Sequence, residues 1–338
     1  KLQYINAKDL NIEIIEPGVF DGLENLENLT LIGNYLKEIK KQIFMPLSKL
    51  KHLDLYKVNI HSIELGAFDG LSSLEYLDLR FNFIQVLVKD LFYGLRSLKF
   101  LYLSDSNIQI IEPFAFNGLI SLEFLYLESN PIRILQNFTF SSLNSLRNIE
   151  LKNASIELIE LCAFCGNLSS LEFLNMPFIR LKILEERRFH QLSNLKVLSL
   201  HSGELQEIKE NAFNGLHSLD LLLLGLNKIQ IIKNGTFKPL QSLKELHLDH
   251  SEIEIVESFA FDGSMNLETL KLISNNFRVL RNDTFQISPK LVRLYFTGSQ
   301  IEVIETNAFK GLIVLQDLRL NQNNMRLLRN LTFNSLQN

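Results

Sequence analysis

The chain has 338 residues, 46% of them apolar and 21% charged, a folding composition that excludes a disordered or collagen-like polypeptide. A net charge of −4 supplies no concentrated basic surface for nucleic acid or an anionic membrane, and two cysteines are too few for a disulfide scaffold. No run is long and apolar enough for a membrane span, and KLQYINAKDL lacks the basic-then-apolar layout of a secretory signal, so the start is expected to be mature or truncated.

From Leu2 onward the chain repeats itself. Fourteen units begin at Leu2, Leu26, Leu50, Leu74, Leu98, Leu122, Leu146, Leu171, Leu195, Leu219, Leu243, Leu267, Leu291 and Leu315, every 24 residues with one step of 25. Each unit follows L-x-x-L-x-L-x-x-N-x-I-x-x-L and then x-x-x-x-F-x-x-L, as in Leu122 to Ser145. The x-L-x-L segment alternates apolar and polar residues, which predicts a short half-buried strand with its leucines inward. One such coil cannot bury its apolar side alone, so neighbouring coils must stack, pairing their strands in parallel around one continuous core. Every unit carries Phe at its nineteenth place, from Phe20 to Phe333, and these rings are expected to line the opposite wall.

The ninth place alternates. Asn stands at Asn34, Asn82, Asn130, Asn227, Asn275 and Asn323, where its side chain is expected to satisfy backbone groups as the chain turns out of the strand. The units between them have Leu10, Val58, Ser106, Ala154, Gly203, Ser251 and Ser299, and their second halves read IELGAFDGL or IEPFAFNGL rather than IKNGTFKPL or LRNLTFNSL. The true period is therefore 48 residues, from tandem duplication or from a functional two-coil device, which sequence cannot separate. An extra residue in CGNLSS, then Met176, Pro177 and Ile179 in the next unit, predicts a local irregularity near residues 165–180 within a single solenoid spanning 1–338.

These units resemble the typical extracellular leucine-rich repeat, the class of Toll-like receptor ectodomains, Slit, chaoptin and arthropod secreted immune proteins, and the likeness covers essentially the whole chain. It implies an α/β-type right-handed solenoid with a parallel sheet on the concave face, loops and short helical turns on the convex face, and a Phe spine. It also implies cysteine-rich caps, yet residues 1–25 and 315–338 hold no Cys. The chain is thus expected to be a fragment of a longer ectodomain or to have its ends covered by another molecule.

If the strands face the hollow, the third, fifth, seventh and eighth places point outward. The third column places Tyr76, Phe100, Phe124 and Phe173 in line, interrupted by Asn148; the fifth adds Tyr102 and Tyr126, with Phe81 on the edge. Parallel strands ~4.8 Å apart would make a ladder of rings. Such a ladder marks a partner-binding patch or merely stabilises the sheet. Toward the far end come His247, Asp249, His250, Lys271, Arg293 and Arg319, and residues 267–338 hold nine Lys or Arg against five Asp or Glu, a net +4 that leaves −8 for the rest. One strand cannot converge His247, Asp249 and His250 on a metal, so no metal site is expected.

Cys162-Ala-Phe-Cys165 flanks a spine Phe and is read as a local disulfide or two free thiols, with redox catalysis excluded by its context. Seven Asn-x-Ser/Thr sequons, at Asn28, Asn137, Asn153, Asn167, Asn234, Asn282 and Asn330, suggest glycosylation and secretion. Four of them share the sixteenth place and count as one observation. No nucleophile and base, no phosphate loop and no distinguished carboxylate pair emerges, so neither an enzyme nor a cofactor is expected. The expected function is an extracellular protein-recognition module, a receptor ectodomain or secreted immune or adhesion-type protein that binds a protein ligand or co-receptor on its concave face, with no membrane contact of its own. The alternative is a structural or adhesive protein that self-associates into a homo-oligomer. Nucleic acid is ranked as an unlikely partner.

Overall fold

The computed structural model describes residues 1–338 except Asp283, Gln286, Ile287, Gln337 and Asn338. The chain divides into two compact units, Lys1–Leu171 and Glu172–Asn338, with the division inside the segment where the inserted residue breaks the period.

In the first unit the x-L-x-L segments form strands Tyr4–Asn6, Asn28–Thr30, His52–Asp54, Tyr76–Asp78, Phe100–Tyr102, Phe124–Tyr126 and Asn148–Glu150. Each pairs in parallel with the next, and the register follows the repeat, Tyr76 opposite Phe100 and Phe100 opposite Phe124. The second unit repeats the arrangement with Phe173–Asn175, Val197–Ser199, Leu221–Leu223, Glu245–His247, Thr269–Lys271, Arg293–Tyr295 and Asp317–Arg319. Each unit by itself is a stack of repeat coils with its strands in parallel, as the spacing predicts.

The leucines that begin the inner coils and alternate through their strands are buried, Leu98, Leu101 and Leu103 for one coil, and the spine Phe side chains lie against them on the far wall. Spine rings stack coil on coil, 6.1 Å between Phe92 and Phe116 and between Phe116 and Phe140 in the first unit, 5.8 Å between Phe237 and Phe261 in the second. Each such side chain contributes roughly 1.5–3 kcal/mol by burial, and the gain is largely offset by chain entropy, so the coils hold only together. The back of the coil is built of turns and two-residue strands in place of the short helical turns that the resemblance implies. Among the described residues only Asn334–Leu336 is helical, as a 3-10 turn.

The 48-residue period has a visible physical basis. Each ninth-place Asn clamps its coil to the preceding one: Asn82 Oδ1 accepts the Val58 and Ile60 N–H groups, while its Nδ2 donates to the Leu55 and Leu79 carbonyls at 3.0 and 2.8 Å. The back of the same coil is joined instead to the following one, through the pairing of Val86–Leu87 with Ile110–Ile111 and through the Glu112 carboxylate, which accepts the Lys89 N–H at 2.8 Å. Glu64 on Lys41, Glu160 on Asn137, Glu257 on Asn234 and Glu305 on Asn282 repeat that back clamp. The Asn front clamp and the Glu back clamp therefore fall at alternate interfaces, while a ninth-place Ser gives intervening interfaces a lighter front bond, as Ser106 Oγ donates to the Leu79 carbonyl at 2.7 Å.

The inserted residue leaves the strand Phe173–Asn175 in register with Val197–Ser199. Pro177 costs no ladder bond, because the flanking Met176 and Phe178 N–H groups are the ones that donate to the next coil, at 2.8 and 3.1 Å from the Ser199 and His201 carbonyls.

Candidate functional site

Five of the seven ring-bearing residues expected on the sheet face come together in the first unit. Tyr102 and Tyr126 stack with centroids 4.5 Å apart and planes 3° from parallel, and Phe100 and Phe124 do the same at 5.0 Å and 4°. Those separations equal the strand spacing, so the rings stand on the sheet and stack along its ladder. Tyr76 lies 5.0 Å from Tyr102 in a tilted contact. All five are half-buried, mostly against one another, rather than fully exposed as the ladder picture implies.

Phe81 joins the cluster by a route that the columns did not show. Its ring meets Tyr56 edge-on at 5.2 Å, and the Arg80 guanidinium lies over both Tyr56 (5.5 Å) and Tyr102 (5.0 Å). Arg80 is held by Asp78, a carboxylate only 2% exposed. Burial and the Asp78 charge push the Tyr76 phenol well above its usual range, and burial raises Tyr102 and Tyr126 as well. The surface therefore carries protonated phenols and one fixed cation, suited to hydrogen bonding and cation–π contact rather than to proton transfer.

Phe81 is 45% exposed and has φ 56°, a left-handed backbone that costs a bulky side chain more than Gly or Asn. The eighth place of every coil turns this way, and most coils meet it with Gly, Asp, Asn, Ser or another polar residue; Phe81, Phe178 and Leu226 are the bulky apolar exceptions. Tyr56 and Arg80, at the seventh place, and Tyr35 and Phe83, at the tenth, were missed by the sequence reading, since the tenth place lies beyond the strand positions that point outward.

Phe173 sits in the second unit, exposed, with Val197 as its strand partner. Its neighbours on the sheet face of that unit are the apolar Leu221 and Leu223, with Phe178 and Leu226 on the edge. Farther along, the basic column is partly neutralised: Arg319 pairs with Asp317 at 2.9 Å and covers the Tyr295 ring at 4.4 Å, and Arg293 donates to Thr269 Oγ1. His247 Nε2 lies 3.4 Å from the Glu245 carboxylate, and among the described residues no group of three His, Cys, Asp or Glu could hold a metal ion.

Cys162 and Cys165 are joined in a disulfide. Among the sequons, Asn153, Asn167, Asn234, Asn282 and Asn330 are exposed, whereas Asn28 is half-buried on a sheet strand, and Asn137 Oδ1 accepts the Cys162 N–H at 2.8 Å. Among the described residues no helix is long and apolar enough to cross a membrane.

The leucine rich repeat family model matches residues 24–84, 72–132 and 193–253, and the model of the BspA type leucine rich repeat region (6 copies) matches 225–338. The chain belongs to the leucine-rich repeat family. No curated protein matches it. Among solved structures, this leucine-rich repeat chain is similar to TLR13 in its complex with ssRNA13, at 25% identity and TM-score 0.71 over 96% of this chain and 49% of that one. It is similar also to Toll in the Drosophila Toll–Spatzle complex, at 24% identity and TM-score 0.81 over 93% and 43%. An internalin of Listeria monocytogenes shares the fold at 18% identity and TM-score 0.62, covering 94% of this chain and 87% of its own. The chain thus spans about half the length, or less, of the TLR13 and Toll chains.

Proposed function

We propose that this chain is an extracellular recognition module, part of a receptor ectodomain or secreted immune or adhesion-type protein, that binds a protein ligand or co-receptor on the sheet face of its first unit. The observation that carries the reading is the joined surface of Tyr56, Tyr76, Arg80, Phe81, Tyr102 and Tyr126, in which a buried carboxylate fixes a cation between two rings and an exposed Phe occupies a strained backbone position. Strain of this kind gathers where binding geometry matters more than stability. Tyr and Arg are also the residues that most often dominate protein interfaces. Toll, in its solved complex, meets a protein, while TLR13 meets an RNA, so the expectation against nucleic acid draws no support from these neighbours.

Exposed sequons at Asn153, Asn167, Asn234, Asn282 and Asn330 are the proposed glycan sites. The test is affinity capture on the full chain from extracellular fluid, followed by a dissociation constant for the captured protein. Phe100→Ala with Tyr102→Ala should weaken binding at least tenfold without changing the fold; an unchanged constant overturns the sheet-face site. Self-association is the second reading, favoured by the apolar sheet face at Phe173, Val197, Leu221 and Leu223, and a strict monomer in light scattering at high concentration removes it.

A further inference from the structure

Beyond the strand ends of the first unit lies a groove of about 660 Å³ that no ring of the sheet face fills. It runs from Asp9 in the first coil to Pro131 in the sixth, and its relief follows the 48-residue period. In the Asn-bearing coils the tenth-place N–H is drawn back to the preceding coil, Tyr35 to the Ile12 carbonyl at 2.8 Å and Phe83 to the Ile60 carbonyl at 2.7 Å. Tyr35 and Phe83 stand out as ridges, 51% and 47% exposed, and Pro131 holds the same place two coils on. In the intervening coils the tenth residues, Asn59 and Asn107, take a left-handed backbone and lie half-buried between the ridges.

Neither the Asn59 nor the Asn107 carboxamide makes a hydrogen bond among the described residues, although each offers two donors and an acceptor. Ridge follows ridge, and floor amide follows floor amide, at two coil steps, ~9.6 Å for strands ~4.8 Å apart. A polyproline II helix turns once in three residues of ~3.1 Å, about 9.3 Å. Its exposed carbonyls recur at the same pitch, and aromatic-lined grooves suit its preformed, low-entropy backbone. Five coil steps, about 24 Å, accommodate roughly eight residues in that conformation. The charges at the groove are Asp9, Asp105 and Lys57; Asp105 forms no ion pair among the described residues and Asp9 only a 3.9 Å contact with the exposed Lys8.

Resting on the reading of the chain as a protein-recognition module, we propose that this groove binds a proline-rich segment of a partner in the polyproline II conformation. The floor amides donate to its carbonyls, the Tyr35, Phe81 and Phe83 rings pack against its prolines, and a basic residue of the segment meets Asp9 or Asp105.

The test is fluorescence polarisation of the full chain with a labelled octapeptide of seven prolines and one arginine, against a glycine-serine octapeptide carrying the same arginine. The proline peptide should bind at least tenfold more tightly. Asn59→Gly with Asn107→Gly should abolish that preference while keeping the melting temperature close to that of the parent, since Gly accepts the left-handed backbone and neither side chain has a partner to lose. Asp9→Asn with Asp105→Asn should remove the advantage of arginine over a neutral end. Equal binding of both peptides, or unchanged binding to the Asn59→Gly and Asn107→Gly variant, overturns the proposal. Tyr102→Ala should leave peptide binding intact, so failure of the groove and failure of the sheet face read separately.

Discussion

Asp78 fixes Arg80 from within the sheet: the Arg80 Nε donates to both carboxylate oxygens at 3.0 Å, and the Arg80 backbone N–H donates to Oδ1 at 3.0 Å. The acid is buried and the guanidinium is a third exposed, so the pair anchors a cation at the surface rather than hiding it. The Asp78 bonds raise the Arg80 pKa, and Arg80 in turn keeps Tyr56 and Tyr102 in one cluster although they lie two coils apart.

The two halves of that pair should not be equivalent on mutation. Removing Arg80 leaves a buried carboxylate without its counter-ion, whereas Asp78→Asn keeps an acceptor for the Arg80 N–H and releases a cation already part-solvated. After discounting for solvent at the exposed Arg80, Arg80→Ala is expected to cost about 2 kcal/mol and Asp78→Asn about 1 kcal/mol. Urea denaturation of both variants and of the double mutant checks this; equal costs for the two singles would contradict the anchoring role.

Phe81→Asn should separate stability from binding. Asn accepts the left-handed backbone at φ 56° more readily than Phe, but the Phe81 ring contact with Tyr56 is lost. The balance of ~1–2 kcal/mol of strain against ~0.5–1.5 kcal/mol of ring contact gives a melting temperature equal to or slightly above the parent. Partner affinity should fall. A variant that loses stability by more than 1 kcal/mol shows that the ring is structural.

The fold was legible because its signal is periodic: the buried leucines and the Phe spine recur at fixed places, and packing demands nothing else of them. The ring pairs Phe100 with Phe124 and Tyr102 with Tyr126 were legible for the same reason, since parallel pairing without a register shift puts equal places opposite each other. Tyr56 and Arg80 were not, because their link to Phe81 crosses coils diagonally and depends on Asp78, which reads in sequence as an ordinary outward acid. Phe173 shares the column, but it lies in the second unit, where its strand partner is Val197 rather than another ring. The alternation of front and back clamps was visible as letters, but its cause needed the hydrogen bonds of Asn82 and Glu112.

The second unit should weaken on mild acidification. Burial, then the neighbouring Lys271 charge, lowers the His247 pKa below 6.5, while Asp249 and Glu245 oppose the shift. The unfolded chain then binds more protons than the folded one between the folded pKa and ~6.5, so stability rises with pH there. The contribution is fully present above ~6.5 and is lost as pH falls through the folded value. His247→Gln should flatten the dependence of the melting temperature on pH in that window. A slope unchanged by the substitution assigns it to another group.

Front and back clamps should differ in strength because they differ in burial. Asn130 accepts the Ser106 and Ile108 N–H groups at 3.1 and 2.9 Å and donates to the Leu103 and Leu127 carbonyls at 2.8 and 2.9 Å, all out of solvent. Asn130→Ala strands those four groups, and each buried orphan costs about 1 kcal/mol or more, so a loss of about 3–5 kcal/mol is expected. Glu160 accepts one N–H, that of Asn137 at 2.7 Å, in a part-buried setting, and Glu160→Gln should cost at most about 1 kcal/mol because the amide oxygen still accepts. Hydrogen exchange locates the damage: Ser106 and Ile108 should lose protection in the first variant, and the Asn137 amide alone should quicken in the second. Uniform loss across the whole chain in Asn130→Ala would instead show that the coils unfold as one body and that the clamp has no local role.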